Sequence, residues 1–158
     1  MRSSKRQVEY QEEIMIEVRT HSQVDENLCG RVQQLEVGRC SIEFEALHSM
    51  RADSTGLVHG GFLFSAADYA AMLAVNEPTV VLAGAEVQFV RPCRVGDKVE
   101  VNARITVMDS RKPIVEVVAL DGTKAEVFRG TFKCVVPSRH VLESAGTVGS
   151  APTKTPHD

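Results

Sequence analysis

Asp68 is the side chain most clearly placed to do chemistry. It lies in the run Phe62 to Val75, FLFSAADYAAMLAV, where Ser65 is the only other strongly polar residue. A carboxylate is almost never buried without a partner, because removing its charge from water costs several kcal/mol. Burial raises a carboxyl pKa and leaves the group poised as a general base or nucleophile, and Ser65, three residues earlier, shares its helix face as a hydrogen-bond partner. The plainer alternative is a structural Asp bonded to Ser65, Tyr69 or backbone. A second candidate is His59-Gly60-Gly61, just before that run. Two glycines at a helix start leave backbone N–H groups unshielded, and with the helix dipole these can hold an anion or a developing oxyanion. The same residues would also serve as a tight turn that lets strand and helix pack closely. His59 then orders the turn through its ring, Asp53 is a turn former in a Ser/Thr/Gly loop, and Arg91, before Pro92, is a solvated side chain at a strand end.

These residues need elements to hold them. A helix is expected to start at His59-Gly60-Gly61 after a loop over Met50 to Val58, and to be buried because it is apolar on every face. Its 14 residues from Phe62 fall short of the roughly 20 that span a bilayer. Before it, Val32, Leu35 and Val37, then Cys40, Ile42, Phe44 and Ala46, follow a period of two, and Gly38 marks the turn of a hairpin. After the Asn76-Glu77-Pro78 break come four segments of strand character, 80–90, 98–107, 113–120 and 124–136. Asp121-Gly122 reads as a type I′ turn joining the last two. Gln7 to Thr20, with Val8, Ile14, Met15 and Val18 among Glu and Gln, reads as a short amphipathic helix. The sum is α+β, an antiparallel sheet against one long central helix. The domain plan is a helical segment over 1–29, the main domain over 30–143 and a disordered tail over 144–158. The unpaired face and edges of such a sheet point to an oligomer.

Bulk properties set the class of partner. The chain has 158 residues, 43% hydrophobic and 25% charged, with a formal net charge of −3, the profile of one folded domain. With no Lys/Arg run there is no footprint for nucleic acid or an anionic membrane. Cys29, Cys40, Cys93 and Cys134 lack C-x-x-C or metal-ligand spacing, so free thiols are expected, with no metal and no cofactor. MRSSKRQVEYQEE has no apolar signal core, which places the protein in the cytoplasm as an expectation.

VHGGFLFSAADYA, with Asp68 nine residues after His59, followed by VQFVRPCRVGDKVEV, resembles the hotdog-fold acyl-CoA thioesterases of the phenylacetate-degradation type. The match runs from about Met50 to Val136. It implies a sheet wrapped around a helix, a homodimer or dimer of dimers, and an acyl-CoA or acyl-carrier-protein thioester lying at the subunit interface. It also implies metal-free hydrolysis, with the Gly60 N–H polarising the carbonyl and Asp68 activating water or attacking directly. The site read from the chain is then Asp68, Gly60 and His59 for catalysis, with Asp53, Gly61, Ser65 and Arg91 on the substrate. Two positions depart from that pattern. Asp53 stands where members commonly carry an Asn that donates to the carbonyl, and Leu82-Ala83 lacks the hydroxyl that positions water in some relatives. An ionised Asp cannot donate.

LAGAEVQFVRPCRVGD and EVFRGTF also look like the malonyl-CoA-binding hotdog domain of the Gram-positive lipid-synthesis repressor. That resemblance gives the alternative of a non-catalytic acyl-CoA-binding module. The helix carboxylate Asp68 favours the enzyme, and the residues before the domain leave little room for a DNA-binding helix-turn-helix. A hydratase reading needs four residues between an Asp and a His, whereas five separate Asp53 and His59.

Helix geometry adds a constraint. Asp68 lies eight residues beyond Gly60, about 12 Å along the axis at 1.5 Å per residue, and reacting atoms must come to roughly 3–3.5 Å. A site using both is expected to join two chains.

Overall fold

The computed structural model describes residues 15–145. Within them the chain forms α1 (Glu26–Cys29), β1 (Arg31–Glu36), β2 (Arg39–Glu45), a 3-10 turn (His48–Met50) and α2 (Gly60–Val75). There follow β3 (Val81–Phe89), β4 (Lys98–Val107), β5 (Ile114–Leu120), β6 (Glu126–Val135) and α3 (Val141–Ala145). The strands make one six-stranded sheet in the order β1-β2-β4-β5-β6-β3, every neighbouring pair antiparallel. This is the expected α+β arrangement, with α2 lying across the sheet.

The alternation read in β4 is what makes this packing possible. Val99, Val101 and Ala103 are buried, and Lys98, Glu100, Asn102 and Arg104 turn outward, because successive side chains of a strand point to opposite faces. Ile42 and Phe44 of β2, Val115 and Val117 of β5, and Phe128 and Phe132 of β6 complete the inner face. The helix presents Ala66, Ala67, Ala70, Ala71 and Ala74, all buried, so its backbone can approach the sheet closely while Leu63, Met72 and Leu73 fill the remaining space. It is not enclosed on every side as the apolar run suggested: Phe62, Phe64, Ser65 and Asp68 are only half-buried. The sheet and α1 leave that stripe of α2 open.

The segment expected to be helical through Thr20 is not helical where it is described. Residues 15–19 form neither helix nor strand, and the Ile16 N–H donates to Leu35 O at 3.2 Å. Asn76, the C-cap of α2 in the left-handed region at φ 51°, clasps this strap from the other side. Its Oδ1 accepts from Arg19 N and its Nδ2 donates to Glu17 O, each at 2.8 Å. Long-range pairing thus overrides the local amphipathic spacing. The rest of that expected helix, Gln7 to Ile14, lies outside the described residues. At the other end α3 runs through Ala145, two residues into the tail expected to be disordered, and residues 146–158 lie outside the described residues.

The clasp predicts an order of stabilities. Asn76→Gly removes two hydrogen bonds to partly buried backbone, about 2 kcal/mol together. Asn76→Ala adds roughly 1 kcal/mol more, because Ala resists the left-handed region. Urea unfolding should rank wild type above Gly and Gly above Ala; equal midpoints for Gly and Ala would remove the backbone strain from this account.

The Asp121-Gly122 turn also differs from expectation. Gly122 does not take positive φ, whereas Lys124 does, at 66°. Lys124 N–H donates to Asp121 O and Asp121 N–H to Ala125 O, which closes a three-residue loop. The reason is the Asp121 side chain: its Oδ1 accepts from Thr123 N, Thr123 Oγ1 and Ala125 N, a network that fixes the turn one residue longer than the dipeptide rule implies. β5 and β6 remain antiparallel neighbours, as expected.

Two segments near the ends of the described chain are tied to one end of the fold. The strap is tied to the C-terminal end of α2 through Asn76. The segment after β6 is tied to the same end of the fold by Thr79, whose hydroxyl donates to Pro137 O at 2.6 Å.

Candidate active site

The N-terminus of α2 is held by short pairings on both sides. His59 N–H donates to Met50 O and Val58 N–H to Cys93 O, both at 2.9 Å, with bridges between Arg51 and Val58 and between Leu57 and Arg94. His59 is the N-cap but makes no side-chain capping bond, so the amides of the first turn, Gly60 and Gly61, lack an intrahelical partner. The two glycines have distinct reasons to be glycine. A Cβ on Gly61 would stand 3.0 Å from His59 Nε2, the imidazole being folded over it, and a Cβ on Gly60 would stand 2.9 Å from Phe89 Cε1. Both halves of the sequence reading of this turn therefore coexist: it is a close-packing device and its amides are unused.

A cavity of about 360 Å³ opens at this point, lined by Val58, Gly60, Leu63, Phe89, Arg91 and Cys93 among others. It brings Gly60 and Arg91 together as one wall. Phe89 lies in VQFVRPC, part of the segment that carries the family resemblance, but the sequence assigns it no role in the site.

Asp68 lies two helical turns further along. Its Oδ1 is buried without a hydrogen-bond partner among the described residues, and burial pushes its pKa up to about 6. The expected bond to Ser65 is not made. Ser65 shares the open stripe of α2 without pairing with Asp68. The thiols of Cys29 and Cys134 lie close enough to feel the Asp68 charge, which adds to the larger effect of burial in raising both. Each of the four cysteines is a free thiol. Among the described residues no group of His, Cys, Asp and Glu could hold a metal ion, and no helix is long and apolar enough to cross a membrane.

Asp53 is exposed and committed to its own loop. Its Oδ1 accepts from Thr55 Oγ1 at 2.6 Å and Thr55 N at 2.9 Å, and these bonds hold its carboxyl below the usual range. The turn-forming reading of Asp53 accounts for both bonds. Within one chain, then, Gly60, Gly61, His59 and Arg91 gather at one end of α2, and Asp68 and Ser65 lie apart from them along the helix.

A six-stranded antiparallel sheet wrapped on one long helix, with an uncapped helix N-terminus beside a cavity, is the hotdog architecture. It is the fold of the thioesterase superfamily, whose family model matches residues 55–127 of the chain. An uncharacterized protein from Pyrococcus horikoshii has the same structure, with a TM-score of 0.79 and 46% identity over 82% of this chain and 98% of that one. Two curated relatives match as well. The methylthioribose-1-phosphate isomerase of Aquifex aeolicus is 44% identical over 117 residues, 74% of this chain and 25% of the relative. The transcription factor FapR of Caldanaerobacter subterraneus is 29% identical over 115 residues, 72% of this chain and 57% of the relative. The chain thus spans about a quarter of the first and just over half of the second.

Proposed function

We propose that this protein is an acyl-thioester hydrolase that takes acyl-CoA or an acyl-carrier-protein thioester, with Asp68 as general base or nucleophile and the Gly60 N–H as the oxyanion donor. The observation that carries this reading is the Asp68 carboxylate, with one oxygen buried and unpaired on the open stripe of an otherwise apolar helix. A pKa near 6 leaves such a group mostly ionised at neutral pH yet still basic enough to take a proton. In the general-base form, Asp68 accepts a proton from water as the water oxygen attacks the thioester carbonyl carbon. The oxyanion forms against the Gly60 N–H, worth about 3–4 kcal/mol of barrier where such a donor is well aimed. The C–S bond then breaks and the thiolate leaves.

The same helix cannot supply both groups, since Gly60 and Asp68 stand about 12 Å apart along it. A two-fold dimer with antiparallel neighbouring α2 helices brings Asp68 of one chain to Gly60 of the other, twice per dimer. Three features support that arrangement. The open stripe of α2 carries Asp68, the edge strand β3 has β6 as its only sheet neighbour, and Leu57, Phe89 and Val90 leave apolar surface exposed near Gly60. His59, Gly61, Ser65 and Arg91 belong to this site as positioning and substrate-contacting residues. Asp53, held in its own turn, contributes at most a charge at its edge.

Release of free thiol from a panel of acyl-CoA thioesters tests the reading. Turnover is expected, and kcat/KM should fall as pH drops through about 6, because protonating Asp68 removes the base. Binding of acyl-CoA with no thiol released would instead support the non-catalytic module suggested by the likeness to the transcription factor. A rate that is flat from pH 8 to pH 5 would take Asp68 out of the proton transfer.

A further inference from the structure

Phe89 is an exposed aromatic that sits where an acyl group would have to go. It is the last residue of β3, at the sheet edge, and 54% of its surface is accessible. Its ring is nevertheless fixed. It packs edge-to-face on the fully buried Phe128, with centroids 5.4 Å apart and planes at 73°, a geometry worth roughly 0.5–1.5 kcal/mol beyond the area it covers. The opposite edge of the ring stands over Gly60, whose missing Cβ would meet Cε1 at 2.9 Å and Cδ1 at 3.3 Å. The phenyl therefore forms part of the cavity wall beside Gly60 at the start of α2. The cavity, at about 360 Å³, lies at the small end of ligand sites, which run from about 300 to 1,000 Å³. Apart from Arg91 its walls are apolar.

We infer that Phe89 is the residue that sets acyl size, admitting short or compact apolar acyl groups, aryl ones included, to the Gly60 amide and excluding long chains. This rests on the thioesterase reading above for the site but not for its test. The contact with Phe128 favours the position of the ring beside Gly60, so extra methylenes meet it as a wall. Gly60 is then glycine because the selector stands against it.

The experiment compares acetyl-, hexanoyl-, benzoyl- and palmitoyl-CoA in the full chain and in Phe89→Ala and Phe89→Leu, the latter keeping apolar contact with Phe128 if the former folds poorly. Ratios between substrates within one protein are read, so the folded fraction cancels. Calorimetric affinities for the same series, measured in the Asp68→Asn background, give the profile without hydrolysis. Wild type should favour the short and aryl groups. Phe89→Ala should raise the palmitoyl-to-hexanoyl ratio at least about tenfold, the effect expected when a pocket wall rejects or admits one or two methylenes, and Phe89→Leu should lie between. If wild type releases no thiol but its binding profile shifts with Phe89, hydrolysis falls and the selector stands. If wild type hydrolyses thioesters and both variants keep its profile in turnover and in binding, the selector is wrong and the enzyme stands. Absence of binding to every acyl-CoA overturns both.

Discussion

Asp68→Asn is expected to abolish hydrolysis and, at neutral pH, to make the protein more stable. Losing a general base costs about 10²–10⁴ in rate, and Asn keeps the shape of the carboxylate, so acyl-CoA affinity should survive. The gain in stability follows from the same burial that tunes the base. Burial moves Asp68 from its ordinary 3.8 to about 6, so the folded state holds the proton more tightly than the unfolded chain does. The folded protein is thus favoured below about pH 4, where the group is protonated in both states. That advantage is lost as pH rises through about 6, where the native state must carry a desolvated charge. Two units correspond to about 3 kcal/mol. Part of this is discounted because the carboxylate is half open to solvent, and part is offset because a buried Asn also lacks partners. A net gain of about 1–2 kcal/mol is expected near pH 8, shrinking to nothing near pH 4. Urea midpoints at the two pH values measure it. Retained turnover would sink the catalytic role, and a midpoint at pH 8 below that of wild type would sink the desolvation account of the pKa.

Mixing two inactive variants should restore about a quarter of wild-type activity. Gly60→Pro removes the oxyanion-donating N–H at the first helical position, where proline is tolerated; Asp68→Asn removes the base. In a mixed dimer one site carries both lesions and the other carries neither. Random exchange of equal amounts makes half the dimers mixed, each with one good site. Both parents must first be shown to fold and dimerise. Activity no higher than that of either parent, in mixtures proven to exchange, would show that each site is built within one chain.

Most of the framework was legible because it is written in short-range patterns. The period of two in β2 and β4, the glycines that open α2 and the lone acid within it all lie inside windows of about ten residues, whereas β1, expected to alternate through Val32, Leu35 and Val37, has a register shift after Val32 and leaves Val37 exposed in the turn. What the sequence hid depends on distant partners. The strap at 15–19 carries helix-like spacing, yet its conformation is decided by Leu35 and by Asn76, which is 57 residues from Arg19 and 59 from Glu17. The Asp121 turn was misread for a local reason, because the dipeptide rule counts backbone preference and not the three bonds that one carboxylate oxygen accepts. The role of Phe89 was hidden because it depends on Gly60, 29 residues earlier in the preceding element. The open stripe of α2 was invisible for the opposite reason: apolar residues facing the sheet and apolar residues facing a gap read alike.

The strap at 15–19 and the segment at Pro137 are both tied near the C-terminal end of α2, whereas the Gly60 cavity lies at its N-terminal end, about 24 Å away for a helix of 16 residues. Loosening either tie, at Asn76 or at Thr79, would therefore be felt first at that end of the fold and not at the mouth of the site.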